Sequence, residues 1–122
     1  MNYLIGDIGN TNIKVCKINK EFKIIKTFLF QTKDSNIEFT LNKKLNKIFL
    51  ENINNKILFS SVVPRVYLKI SRFLKRKKFK VFEIKKFNLK KLMKFKLKKY
   101  SELGSDRIAN AIGAYQNLIQ IV

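Results

Sequence analysis

The spacing of apolar and polar positions changes several times along this 122-residue chain, and each change marks an element. Residues 3–8 are apolar apart from Gly6 and Asp7, which predicts a buried strand. A polar turn follows, made of Gly9, Asn10, Thr11 and Asn12. Alternation resumes over residues 12–18. It assigns Ile13, Val15 and Ile18 to one face and turns Lys14 and Lys17 outward. After the polar triplet Asn19, Lys20 and Glu21, residues 22–32 are rich in Ile, Phe and Thr and predict a third strand. Three strands joined by short turns predict an antiparallel meander.

The period then lengthens. Asp34, Ser35 and Asn36 bring helix-capping chemistry. Ile37, Leu41, Leu45, Ile48 and Phe49 fall near helical spacing, in a helix running to about residue 54. Residues 56–63 form a compact strand, closed by the single proline, Pro64. Proline suits the first turn of a helix, and Val66, Ile70, Phe73 and Leu74 continue a helical face. Residues 79–84 alternate as a fifth strand, 85–99 form a basic linker, and 101–122 close the chain as a helix rich in small residues. The order β-β-β-α-β-α-β-α predicts an α/β fold, with helices on the faces of a mixed five-stranded sheet. The length suits one domain covering residues 1–122.

Composition narrows the class. The apolar fraction, 46%, is that of a globular protein. No apolar run approaches the roughly 20 residues of a membrane span, and Asp7, Asn10 and Asn12 interrupt any signal-like N-terminus. A lone cysteine, Cys16, allows no internal disulfide and is expected in the core. The expected location is the cytoplasm. The net charge of +19 invites a polyanion partner. Yet Lys, Asn, Ile and Phe, all with AT-rich codons, make up about half of the chain, and lysines occur in every segment. Compositional bias with solvated faces is the favoured reading over a nucleic-acid surface. The aromatics among the lysines of residues 79–95 are likewise expected as core rather than as base-stacking platforms.

Candidate chemistry is limited by what is missing. The chain has eight acids and no histidine, so a base must be a carboxylate or a lysine. Asp7 follows a mostly apolar run, where burial is costly without a partner or a task. Gly9 lets backbone N–H groups approach an anion, and Asn10, Thr11 and Asn12 add short donors. Asp7 can hold a hydrated Mg²⁺ against phosphates, and Lys14 can reach back as a point charge. The same residues also make an ordinary hairpin. The second constellation is Tyr100, Ser101, Glu102, Leu103, Gly104, Ser105, Asp106 and Arg107 at a helix start. There Asp106 can serve as a general base and Arg107 can clamp a carboxylate, or both can be cap and surface. The third is Ser60 and Ser61 at a strand end, open to ligand approach or satisfied structurally.

Three stretches taken together resemble type III pantothenate kinase. They are Asp7, Ile8, Gly9, Asn10, Thr11 and Asn12; then Ser60, Ser61, Val62, Val63 and Pro64; then Gly104, Ser105, Asp106, Arg107, Ile108, Ala109, Asn110 and Ala111. The resemblance implies a ribonuclease-H-like domain of the actin-like, acetate and sugar kinase superfamily. It implies ATP-dependent phosphorylation of pantothenate to 4'-phosphopantothenate, the opening step of coenzyme A biosynthesis. By it, Asp7, Ile8, Gly9, Asn10, Thr11, Asn12, Ile13 and Lys14 would bind ATP, with Asp7 holding Mg²⁺ through water. Tyr100, Gly104, Ser105, Asp106 and Arg107 would bind pantothenate, with Asp106 the proton acceptor and Arg107 facing the carboxylate. A monovalent cation, K⁺ or NH₄⁺, and a homodimer are further implications, but no residue here matches the cation site. Ser105 stands where alanine or valine is usual. Family members carry a second similar domain with an Asp-Phe-Gly-Thr motif, which this chain lacks, so it is expected to be inactive alone. A non-catalytic or regulatory relative of the same fold, or a basic nucleic-acid-binding module, are the other two readings.

Overall fold

The computed structural model describes residues 1–84 and 111–116. Its strands are β1 (Asn2–Ile8), β2 (Asn12–Ile18), β3 (Ile24–Gln31), β4 (Ile53–Ser61) and β5 (Lys80–Glu83). Its helices are α1 (Ile37–Phe49) and α2 (Pro64–Arg76), and residues 111–116 are helical. The sheet has the order β3-β2-β1-β4-β5. β1 and β3 each pair antiparallel with β2, while β4 runs parallel to both β1 and β5. The expected meander and the alternation that follows it are both present. The linker expected over 85–99 lies outside the described residues, as does most of the expected closing helix.

Several boundaries differ from the sequence reading. α1 ends at Phe49 rather than near residue 54, and β4 begins at Ile53. Asn2 N–H donates to Asn52 O (3.0 Å), so the polar Asn52–Asn55 stretch is drawn into the sheet beside β1. β4 ends at Ser61, because the Val63 N–H turns to Ser61 Oγ (3.1 Å) ahead of the helix-starting Pro64. β3 begins two residues later than expected. Asn19 Oδ1 accepts from the N–H groups of Glu21 and Lys23, each at 3.0 Å, and Phe22 adopts a positive φ of 61° in the turn this makes.

The three inner strands, β2, β1 and β4, are buried on both faces, and this settles which residues share a face. On the first face, Leu4, Ile8, Ile13, Val15, Ile57 and Phe59 pack with the apolar stripes of α1 and α2. On the second, Ile5, Cys16, Ile18 and Leu58 pack with Ile84, Ala111, Ala114 and Tyr115. Ile18 therefore lies opposite Ile13 and Val15, not with them. Lys17 turns to the first face, where its Nζ meets Glu51 Oε2 at 2.9 Å. A strand with one wet face has a single apolar parity; β2 has apolar residues on both, which simple alternation misassigns.

At Gly6 the first face is unusually tight. A methyl group there would overlap the ring of Phe59, its cross-strand partner on β4. Phe59 in turn meets Tyr67 of α2 edge-on, with centroids 6.3 Å apart. Glycine is required here by close approach, and α2 sits at the depth that the ring allows.

α1 is capped indirectly. Its N-cap, Asn36, makes no side-chain cap bond. Asp34 does the work instead: Oδ1 accepts from Asn36 N–H (2.9 Å) and Oδ2 from Thr40 Oγ (2.6 Å). Thr40 and then Asn36 hold the Asp34 carboxyl below its ordinary 3.8.

Gly6→Ala should destabilise the protein by about 1–3 kcal/mol through overpacking, and Phe59→Leu should recover part of that loss in the double variant. Urea denaturation of the four proteins measures both, and simple additivity would contradict the contact. A carboxyl with a lowered folded-state pKa stabilises above its unfolded value and loses that contribution as pH falls through the folded one. Thr40→Val should thus be less stable than wild type near neutrality, with the gap narrowing below about pH 4. A gap that stays constant with pH would assign the loss to packing alone.

Candidate functional site

Along the second face of β1 the side chains run Tyr3, Ile5, Asp7. The first two lie over the apolar cluster, and the third is an acid one step from the strand end. Asp7 is only 6% exposed. Its cross-strand partners are Lys14 on β2 and Ser60 on β4, so all three side chains share the second face. Ser60 is buried while Lys14 is exposed. The group sits at the carboxyl ends of the parallel strands β1 and β4, the edge where open α/β sheets bind ligands. The two serines therefore divide their work. Ser61 points to the first face and accepts the Val63 N–H, a structural use, whereas Ser60 lies beside Asp7.

The turn that follows β1 is tied down through its carbonyls. Gly9 N–H donates to Asn12 O (2.9 Å) and Val62 N–H to Ile8 O (3.0 Å). Thr32, the first residue after β3, donates twice: its N–H to Thr11 O (3.0 Å) and its hydroxyl to Gly9 O (2.8 Å). Among the described residues the N–H groups of Asn10 and Thr11 have no backbone acceptor. Asn10, Thr11 and Asn12 are exposed, and Gly9 is buried beneath them. A turn whose carbonyls are taken up within the protein while N–H groups of Asn10 and Thr11 have no backbone acceptor suits an anion. Ile8 and Ile13, which also fall within the expected nucleotide stretch, are fully buried on the first face. Their side chains enter the first core and so fix the turn's two ends.

Asp7 is also the candidate for a metal. Among the described residues no three His, Cys, Asp or Glu converge. A cation there would take its remaining oxygens from water and a bound phosphate. One carboxylate with phosphate oxygens is a usual donor set for Mg²⁺, so the residues present fit it.

The helical residues 111–116 cover the second face beside this site. Tyr115 is fully buried, with its ring 5.4 Å from that of Tyr3, which stacks on Phe22 at 5.6 Å. Its hydroxyl donates to Lys56 O and reaches Asn54 Oδ1 at 3.5 Å. Burial, and then the neighbouring Tyr3, push the phenol well above its ordinary range, so it stays a neutral donor. Gly113 and Ala114 are buried in the same helix, which accounts for its small residues as packing.

Two open cavities flank the sheet. One, of about 400 Å³, lies beside the turn and is lined by Asn12, Leu29, Gln31, Asp34, Thr40 and Lys44. The other, of about 240 Å³, lies between α2 and β5. Glu83 is half-buried on its wall with Tyr67 and Ser71. Among the described residues the positive charge does not gather at Asp7. Arg65, Lys69, Arg72, Lys75 and Arg76 are exposed on α2, which packs on the first face.

Of the expected site residues, Asp7, Gly9, Asn10, Thr11, Asn12 and Lys14 form one locus. Tyr100, Gly104, Ser105, Asp106 and Arg107 lie outside the described residues. Thr32 and Tyr115 went unnoticed in the sequence. A threonine ending a strand of Ile, Phe and Thr looks like a strand former, and no local signal marks a bond spanning 23 residues.

The model of the type III pantothenate kinase family matches residues 3–121. The type III pantothenate kinase of Pelagibacter ubique (strain HTCC1062) is 45% identical over 116 residues. That alignment covers 93% of this chain and 46% of the relative, so the chain spans about half the length of the curated relative it matches.

Tyr115→Phe keeps the ring and removes the bond to Lys56 O; it should cost about 1 kcal/mol. Tyr115→Ala should cost about 3–5 kcal/mol, by opening a cavity against Tyr3. Equal losses in thermal or urea unfolding would mean that the hydroxyl, not the ring, holds this helix.

Proposed function

Because this chain belongs to the type III pantothenate kinase family, we propose that it forms the ribonuclease-H-like half of an enzyme that phosphorylates pantothenate from ATP. The product is 4'-phosphopantothenate, at the start of coenzyme A biosynthesis. The observation that carries this reading is the convergence of Asp7, Lys14 and Ser60 on one face, next to a turn with outward donors. The mixed sheet, with β1 central and its carboxyl end polar, supports the ribonuclease-H-like assignment. In this reading the second wall of the nucleotide cleft comes from the counterpart of the relative's unmatched part. That wall, and not this chain, would supply the K⁺ or NH₄⁺ site. The assembly would be a homodimer.

Gly9 lets the phosphates of ATP come close to the turn, and Asn10, Thr11 and Asn12 bind them through backbone N–H groups and short side chains. Lys14 adds positive charge from β2. Asp7 would hold Mg²⁺ through water, and such an ion would supply charge neutralisation for the phosphates. Gly104, Ser105 and Arg107 position pantothenate, with Arg107 gripping its carboxylate and Tyr100 lining the site. The primary hydroxyl of pantothenate attacks the γ-phosphorus and gives its proton to Asp106. The bond from the γ-phosphorus to the bridging oxygen breaks, and ADP departs with that oxygen. Placement and charge neutralisation account for most of the rate. Asp106 and Arg107 lie a few residues ahead of Ala111 in the chain, and Tyr115 fastens that helix to the face that carries Asp7. This supports a substrate side next to the phosphate side.

The test is a chimera of this chain with the unmatched part of the Pelagibacter relative. It should release ADP only when both pantothenate and Mg-ATP are present. Asp106→Asn in the chimera should lower turnover by about 10²-fold or more while nucleotide binding changes little. A folded chimera without turnover, assayed beside the active relative, would overturn the kinase reading. Unchanged turnover in the variant would remove Asp106 as the base.

A further inference from the structure

We infer that Thr32 is a positioning residue for nucleotide binding, one that sets the direction of the phosphate-facing donors in the turn after β1. The inference rests on the proposal that this turn receives the ATP phosphates. It adds a residue that stands outside every motif the sequence offered.

The geometry is specific. Thr32 is buried, at 9% exposure, beyond the carboxyl end of β3. Its two bonds reach two carbonyls of one short turn, those of Gly9 and Thr11, and so straddle Asn10. Each peptide unit is planar, and no peptide bond in the described residues is cis. In a trans peptide the C=O of one residue and the N–H of the next point in opposite directions. Turning Gly9 C=O toward Thr32 therefore turns Asn10 N–H away from it. Turning Thr11 C=O toward Thr32 does the same to Asn12 N–H. One side chain and one amide just beyond β3 thereby fix which way the turn presents its donors.

The brace also matters because glycine is in the turn. Gly9 has wide backbone freedom, and an unbraced turn would exchange carbonyl-out and donor-out arrangements. Ordering it on binding would weaken affinity. With the hydroxyl removed, Gly9 O would lose its donor in a buried setting, where an unpaired carbonyl is unfavourable. The turn would then be driven to flip that peptide toward water, taking the Asn10 N–H with it. The group that matters is the hydroxyl, since any residue except proline can supply the backbone bond to Thr11.

Thr32→Val keeps the shape and removes the hydroxyl; Thr32→Ser keeps the hydroxyl and removes the methyl. The ¹⁵N-labelled chain is titrated with Mg-ATP, and with tripolyphosphate as a probe lacking base and sugar, while the amides of Gly9, Asn10 and Asn12 are followed by NMR. In the wild type these amides should shift with both ligands. Thr32→Val should bind each about tenfold more weakly, and Thr32→Ser within about twofold of wild type. The amides of β4 and α2 should keep their positions in all three proteins, which separates a misdirected turn from a damaged fold. Binding by Thr32→Val within about twofold of wild type, with the wild-type turn shifting, would overturn the role of Thr32 and leave the phosphate turn standing. Equal weakening in Thr32→Ser would also overturn it, since packing and not the hydroxyl would then be responsible. A wild-type turn unmoved by either ligand would overturn the phosphate reading itself.

Discussion

Every side chain of β1 from Leu4 to Ile8 is buried, and alternate ones enter different cores. This is the constraint on which the rest of the structure depends. The even positions, Leu4, Gly6 and Ile8, face α1 and α2. Of the odd ones, Ile5 packs with the helix of residues 111–116, and Asp7 lies further along the same face. A strand so placed cannot slip by one residue, because a slip would exchange two different sets of neighbours at once. Gly6 sharpens this, since only a residue without a side chain fits under the Phe59 ring. The register of β1 against β4 is therefore set by shape as well as by hydrogen bonds. Once it is set, Asp7 can only stand beside Ser60.

The position of the turn after β1 follows from that register. Ile8 and Ile13 enter the first core at its two ends, so the loop between them has little latitude. Val62 reaches in from β4 and Thr32 from β3 to bond its carbonyls. Residues in or just beyond four strands thus hold a loop of a few residues, of which only Asn12 belongs to a strand itself. Loops that bind are commonly mobile. This one is braced by the sheet, an arrangement that lowers the ordering cost of gripping an anion.

Legibility in the sequence followed the range of the interactions. The period of apolar residues marked all five strands and both α1 and α2, because that period reflects burial directly. Boundaries were missed where a long-range bond decided them, as where Asn52 is drawn to β1. The parity of Ile18 was missed because β2 is buried on both faces and alternation does not apply. Asp7 stood out because an acid in an apolar run is locally anomalous, and the structure gives it neighbours on both adjoining strands. Thr32 did not stand out, since nothing about it is anomalous until β3 is folded against the turn. Asp34 illustrates the middle case: its capping chemistry was visible, but its partner Thr40, one and a half turns away, was not.

Charge is the remaining question, and distance decides it. The exposed cations of α2 lie on the helix layer over the first face, while Asp7 opens onto the second. Packed layers are separated by about 10 Å. The screening length at physiological salt is about 8 Å, so those cations act on a ligand at Asp7 only weakly and without direction. A net charge of +19 attracts any polyanion and distinguishes none. Discrimination must come from groups at contact range, where geometry counts. Among the described residues those are the donors of the turn, with Lys14 and Asp7 beside them. Lys14 is the cation that the β1–β2 register puts next to the buried acid. Among the lysines in the described residues, Lys14 is thus the one that the sheet register sets beside Asp7, whereas Lys17 is turned to Glu51 on the other face.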